Sequence, residues 1–223
     1  WDAVLPCFKR IEDSPFGTRE FRGSTGPVRI GPIVSPHPLS REFLNACLAS
    51  GIPANDDYNG ATQEGIAFNQ LMMRDGVRVS AASAFLAPAR ARPNLRVLTK
   101  SPVRRIVVEN GRASGVEFGH GDRVETIGAR REVLLCAGTV ASPQILLLSG
   151  IGAAAELAPL GIAPVIDLPA VGRNPQEQVR VQTVFRTRAP SYKREARGFR
   201  LLRHLVTYRR EKKGLLAVTA SQV

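Results

Sequence analysis

The chain has 223 residues, 43% of them hydrophobic, with three cysteines and a formal charge of +12. That length and apolar content exclude a wholly disordered chain and allow one large domain or two small ones. Cys7, Cys47 and Cys136 are widely separated and form no C-x-x-C, which excludes a disulfide framework or a thiolate zinc site and points to a cytoplasmic protein without a metal centre. Residues 180–223 carry nine Arg and three Lys against Glu195 and Glu211, so +10 of the +12 sits in the last fifth. The remainder is nearly neutral, which argues against a protein built throughout as a nucleic-acid surface. The longest apolar stretch, 143–166, is broken by Gln144, Ser149, Glu156, Pro159 and Pro164 and reads as no membrane span. A start at Trp1 and an end without a closing pattern lead us to expect a piece of a longer protein.

Val4, Leu5, Phe8 and Ile11 recur at helical spacing and predict a short amphipathic helix over 1–12. A Gly- and Pro-rich loop containing His37 follows. Ser40 is expected to cap a helix whose buried stripe is Phe43, Leu44, Cys47 and Leu48, with Gly51 as its stop. Residues 53–79 are polar and Gly-punctuated, a surface excursion in which Asp56, Asp57 and Glu64 cap loops. A helix is expected from Ser80 to about Ala91, ending before Pro93. The texture then turns β-branched: LRVLT, VRRIVVE, ASGVEF and RVETIGA predict a meander, with Asn110-Gly111 as a hairpin turn. Glu132–Cys136 reads as one very apolar strand.

Ala137-Gly138 breaks that strand, and Ser142-Pro143 supplies a cap and a proline for a short helix over 144–149, ended by Gly150. Further on, the pattern predicts a short helix over 153–160, a strand over 163–168, a strand at VRVQTVFRT and a basic helix. That last helix carries Phe199, Leu202, Leu205, Val206 and Tyr208 on one face.

The most informative stretch is REVLLCAGTVASPQILLLSGIG, residues 131–152. A buried strand ending at a small-residue turn lets a planar ligand approach the backbone. The N–H groups of the helix that follows suit the oxygens or phosphates of a nucleotide. On the residues alone, an ordinary strand–turn–helix of an α/β core is the favoured account. A dinucleotide fingerprint over Gly150, Gly152 and Ala155 with Asp167 is a poorer fit. Pro159 and Gly161 shorten its helix, and a helix start stands where that motif needs a strand.

Residues 131–152 resemble the second signature of the GMC (glucose–methanol–choline) oxidoreductases in Gly138-Thr139, Ser142-Pro143 and Ser149-Gly150-Ile151-Gly152. WDAVLPCFKRIE, GSTGPVRI, DDYNGATQEGIAF and the run from DGVRVSAASAFL to ASGVEF resemble further family stretches in the same order. The likeness runs from Trp1 to about Val181 and leans to the choline-dehydrogenase-like branch. It implies a mixed α/β (α+β) segment of a two-domain flavoprotein: 1–75 from the substrate or cap region, 76–178 returning into the FAD domain, and 179–223 opening the substrate-domain sheet.

The resemblance further implies FAD as cofactor, a small-molecule alcohol as substrate and hydride transfer from the alcohol carbon to flavin while a His takes the proton. It leaves the electron acceptor open. Carried over residue by residue, Val103 matches a backbone contact to adenine, and Ala137, Gly138 and Ser142 match the turn beside the nucleotide. Asn174 heads NPQEQ, where the family usually has Asn-Leu-Gln-Asp-His near the flavin. Pro175, Glu177 and Gln178 depart from that pattern. No residue matches the catalytic base, and His37, His120 and His204 read as ordinary surface histidines. Neither the phosphate loop nor the base is present, so the chain alone is expected to be inactive and to retain no FAD. The alternative is an inert remnant whose basic tail, 193–213, binds nucleic acid or lipid. Nucleic acid is not expected as a partner of the enzyme reading; a peripheral membrane contact is left open, and a solvated helix face is the favoured account of 193–213.

Overall fold

The computed structural model describes residues 1–189, 191–219 and 221–223; within the basic stretch, the side chains of Lys193 and Arg194 lie outside the described part. It divides into two compact units, Trp1–Leu95 with Val184–Val223, and Arg96–Thr183. The expected break at 75/76 falls inside a β-turn, and the break expected at 178/179 lies within the second unit.

In the first unit, α1 (Leu5–Ile11) forms where the spacing predicts it, with Pro6 in its first turn. Strand β1 (Glu12–Asp13) runs parallel to β2 (Val28–Gly31). Helix α2 (Pro38–Ala49) starts earlier than expected: His37, not Ser40, is its cap. The His37 Nδ1 accepts the Leu39 N–H at 3.1 Å, and Pro38 takes the first helical position, where no N–H is needed. His37 is thus a buried residue and not a surface one. The stripe expected to be buried on α2 is only half so: Leu44 and Cys47 are partly covered, while Phe43 and Leu48 are exposed.

The polar excursion ends in a hairpin, β3 (Leu71–Arg74) and β4 (Val77–Arg78), which completes an antiparallel extension of the sheet in the order β1-β2-β3-β4. Met73 faces the core and Met72 does not, so the alternation was present but carried by residues with little strand preference. The helix expected from Ser80 is a five-residue π turn, Ala82–Leu86, followed by one α-helical turn, α3 (Ala87–Ala89). The Ala87 N–H reaches back to the Ala82 carbonyl, and Pro88 lacks the N–H an α-helix would need there.

A buried cation organises this unit. Arg22 is 2% exposed; its guanidinium grips Glu12 through two bonds of 2.8 and 3.0 Å, pairs with Asp57 and donates to Gln70. Burial by itself lowers its pKa, but the Glu12 hydrogen bonds and the Glu12 and Asp57 charges outweigh that and the net shift is upward. Asp57 is therefore an ion-pair partner across the loop and more than a local cap.

In the second unit, β5 (Val103–Glu109), β6 (Arg112–His120) and β7 (Arg123–Gly128) form the expected antiparallel meander. Asn110 and Gly111 turn the first hairpin with φ of 52° and 74°, the two positive values that such a tight turn requires. Ile106 and Phe118 are its buried side chains. Two expected strands do not form. LRVLT and Glu132–Cys136 have no pairing partner among the described residues, and Leu134 is 77% exposed.

Helix α4 (Gly138–Leu148) begins at Gly138, so Ser142-Pro143 lie inside it instead of capping it. Strand β8 (Ile151–Gly152) pairs in parallel with β9 (Ile166–Asp167); between them lie α5 (Ala154–Leu157) and a 3₁₀ turn, Ala158–Leu160. Asp167 accepts the Ala154 N–H at 3.0 Å and so caps α5. Its carboxylate is thereby engaged inside the fold, against the dinucleotide reading. The strand expected at VRVQTVFRT does not form among the described residues either, and Val179 is 94% exposed.

The chain then re-enters the first unit through α6 (Tyr192–Glu195) and α7 (Gly198–Glu211). Gln222 ties this return to the first half: its side-chain oxygen accepts the His37 N–H at 2.8 Å, its carbonyl accepts the Asn69 N–H at 2.8 Å, and its amide donates to the Tyr192 hydroxyl. Burial raises the Tyr192 pKa, with Glu195 adding to the rise and the Gln222 bond opposing it.

Candidate cofactor-binding site

The five residues singled out from sequence, Val103, Ala137, Gly138, Ser142 and Asn174, all lie in the second unit. Ala137, Gly138 and Ser142 form one feature. From Ala137 the chain turns at Gly138 with φ of 86° and enters α4 directly. Ser142 looks back: its hydroxyl accepts the Ala137 N–H at 3.1 Å and so fixes the turn from within the helix. Space around the turn is open, since a Cβ built on Gly138 would meet nothing within 4 Å. The first N–H groups of α4 have no carbonyl a turn behind them to bond.

The far end of α4 is anchored to the meander. The Ser149 hydroxyl accepts the Ile106 N–H at 2.7 Å and donates to the Ile145 carbonyl. Val103 begins the same strand three residues earlier, pairs with Phe118 and is part-exposed. A backbone contact there would be available from the strand's outer end.

Asn174 reaches the site by a different route. Residues 172–174 pack along α4: a Cβ on Gly172 would lie 3.7 Å from Leu147 and 3.9 Å from Pro143. Asn174 itself has φ of 50°, a left-handed conformation that Asn tolerates better than most residues. It lines a cavity of about 710 Å³ together with Thr139, Val140, Pro143, Leu147 and Leu160. An ion pair between Arg173 and Glu156 stands at its side. Sequence reasoning missed Thr139, Val140 and Leu147 as lining residues. Val140, Pro143, Gln144 and Leu147 recur at i, i+3, i+4 and i+7, the signal that one helix face serves one surface.

The histidines stand elsewhere. His37 caps α2, His120 ends β6 in an exposed position, and His204 meets Glu195 at 3.1 Å. No group of His, Cys, Asp and Glu among the described residues could hold a metal ion. None of the described helices is long and apolar enough to cross a membrane.

An open glycine turn at a helix start, beside a cavity lined by that helix, fits a nucleotide-like ligand laid against the backbone. Comparison with known proteins supplies the rest. An oxygen-dependent choline dehydrogenase of Sinorhizobium fredii is 45% identical over 178 residues, which is 79% of this chain and 32% of that protein. A second, from Rhizobium meliloti, is 43% identical over the same shares. The chain thus spans about a third of the length of the curated relatives it matches. Among solved structures, pyridoxine 4-oxidase from Mesorbium loti superimposes with a TM-score of 0.70 at 38% identity, over 76% of this chain and 33% of that one. An FAD-dependent oxidoreductase from Chaetomium thermophilum superimposes with a TM-score of 0.84 at 25% identity, over all of this chain and 42% of its own. The family model described as GMC oxidoreductase matches residues 1–180, and the chain belongs to the GMC oxidoreductases.

Proposed function

We propose that this chain supplies one wall of an FAD site in a longer enzyme that oxidises a small-molecule alcohol. The observation that carries the reading is the Ala137–Ser142 turn, whose open glycine leads straight into α4. Gly138 lets the ligand approach the backbone, Ser142 holds the turn in shape, and the α4 N-terminus favours negatively charged oxygens. Val103 offers main-chain groups to the adenine, and Asn174 holds the flavin-side end through the α4 face. When bound, FAD supplies a two-electron acceptor for the hydride of the alcohol carbon.

The choline dehydrogenase relatives make choline, or another small primary alcohol, the first substrate to try, with oxygen as the first electron acceptor. The proton of the alcohol would go to a base outside this chain, because His37, His120 and His204 stand away from the α4 turn in sequence and in bonding. The three separated free cysteines favour a cytoplasmic location. Contact with a membrane would be made through the first unit. A family match unbroken over 1–180 favours the enzyme reading over an inert remnant.

The test is to express the longer protein and record its spectrum before and after an alcohol is added without air. A flavin band that bleaches with choline supports the reading, and Gly138→Val is expected to lower FAD retention by filling the turn. A folded but colourless protein, or equal FAD retention in Gly138→Val, would overturn it. The 223-residue chain alone is expected to stay colourless.

A further inference from the structure

Helix α7 is divided lengthwise. Leu201, His204, Thr207 and Tyr208 face the body of the first unit and are half-buried. That side is pinned: His204 meets Glu195, and the Lys212 ammonium lies 4.8 Å from the centre of the Tyr208 ring. At the helix end, a Cβ on Gly76 would fall 1.9 Å from the Lys212 carbonyl oxygen, so the β3–β4 turn sits directly against it.

The outer side carries Phe199, Leu202, Leu205 and Val206, exposed by 91, 56, 47 and 47%. At about 100° per residue, Phe199, Leu202 and Val206 form a single stripe. Arg203 and Arg210 run along one border of it and Arg209 along the other, while Arg200, exposed at the helix start, lies towards the Thr207–His204 side. Residues 197–213 hold seven basic side chains against Glu211 alone.

We propose that α7 lies in the plane of an anionic phospholipid bilayer surface, with the Phe199–Leu202–Val206 stripe at the acyl boundary and the arginines among the headgroup phosphates. The combination selects the partner. A nucleic acid would engage the arginines and leave four large apolar side chains in water. An apolar groove on a protein would take the stripe and leave the dense positive charge unanswered. An anionic bilayer answers both at once, through apolar burial and charge attraction along one face. The inference rests on the first unit only and is independent of the flavin reading.

The experiment is co-sedimentation of the full protein carrying this chain with phosphatidylcholine vesicles, with or without phosphatidylglycerol. Binding is expected to phosphatidylglycerol vesicles, to weaken with salt and to be slight on phosphatidylcholine alone. Replacing Arg200, Arg203, Arg209 and Arg210 with Gln should lower partitioning roughly a hundredfold or more. Phe199→Ser with Leu202→Ser and Val206→Ser should lower it as well, and added RNA should not compete. No binding by the unaltered protein overturns the proposal. Binding that survives the serine changes and is competed by RNA overturns it too, in favour of a polyanion. Amide exchange over 198–211 in the unaltered protein decides the matter if a variant fails to fold. Slowing by vesicles supports the proposal, whereas exchange unchanged by saturating phosphatidylglycerol vesicles overturns it.

Discussion

The meander β5–β7 and the unpaired segment 131–137 are neighbours in sequence and similarly rich in apolar residues, yet they behave differently. Each strand of the meander finds its partner within about a dozen residues, through a hairpin turn that its own sequence encodes. Residues 131–137 carry a near-continuous apolar run, the pattern of a strand buried on both faces of a parallel sheet. Such a strand needs partners that arrive by crossover from far along the chain. Among the described residues none arrives, so Leu134 points into water while Phe118, in the meander, is 4% exposed. Strand formation here depends on where the partner is encoded.

The largest effect should come from supplying the missing partner. In the 223-residue chain, amides of 131–136 and 179–187 should exchange almost as fast as in a peptide, and those of 103–128 should be protected. In the longer protein, amides of 131–136 should slow roughly a thousandfold or more. Exchange followed by mass spectrometry on both proteins checks this, and strong protection in the short chain would break the comparison.

A smaller effect separates the two regions by mutation. Phe118→Ala should cost about 3–5 kcal/mol, the range for removing a buried aromatic side chain. Leu134→Ser in the same chain should stay within about 0.5 kcal/mol, as for an exposed position with no partner to lose. Urea midpoints at fixed slope give both numbers. In the longer protein the comparison sharpens if Leu134→Ser becomes as costly as a core substitution.

These contrasts explain what was legible in the sequence. The meander, the Asn110-Gly111 turn and α1 depend on local pattern and were readable; on α7 the apolar stripe was readable too, except that Tyr208, expected on it, faces inward with His204 and Thr207. The strands expected at 95–99, 132–136 and 179–187 do not form among the described residues, because pairing of such segments depends on partners encoded elsewhere. Helix starts failed for a local reason. At α2 a histidine ring did the work of a serine, and at α4 Ser142 bonded backwards to Ala137, so the helix gained a turn. At the candidate site, sequence singled out the glycine turn, and Asn174 came with the resemblance. The α4 face that lines the cavity was visible only as helical spacing with no sign of what it would meet.

The smallest effect lies inside the meander and compares two of its glycines. Gly115 is on β6, and a Cβ there would fall 2.5 Å from the Ile127 carbonyl oxygen on β7. Gly115→Ala must therefore push two paired strands apart, and overpacking of that kind costs about 1–3 kcal/mol. Gly111, in the turn, would meet nothing within 4 Å, but its φ of 74° is one that a side chain disfavours. Gly111→Ala should cost about 1 kcal/mol or slightly more through backbone strain alone. The two costs differ in kind as well as size. Shortening the facing contact cannot relieve the turn, whereas Gly111→Asn should recover most of the loss, since Asn visits the left-handed region more readily than Ala. If Gly115→Ala is neutral while Gly111→Ala is costly, the meander is held by its turn and not by close strand contact.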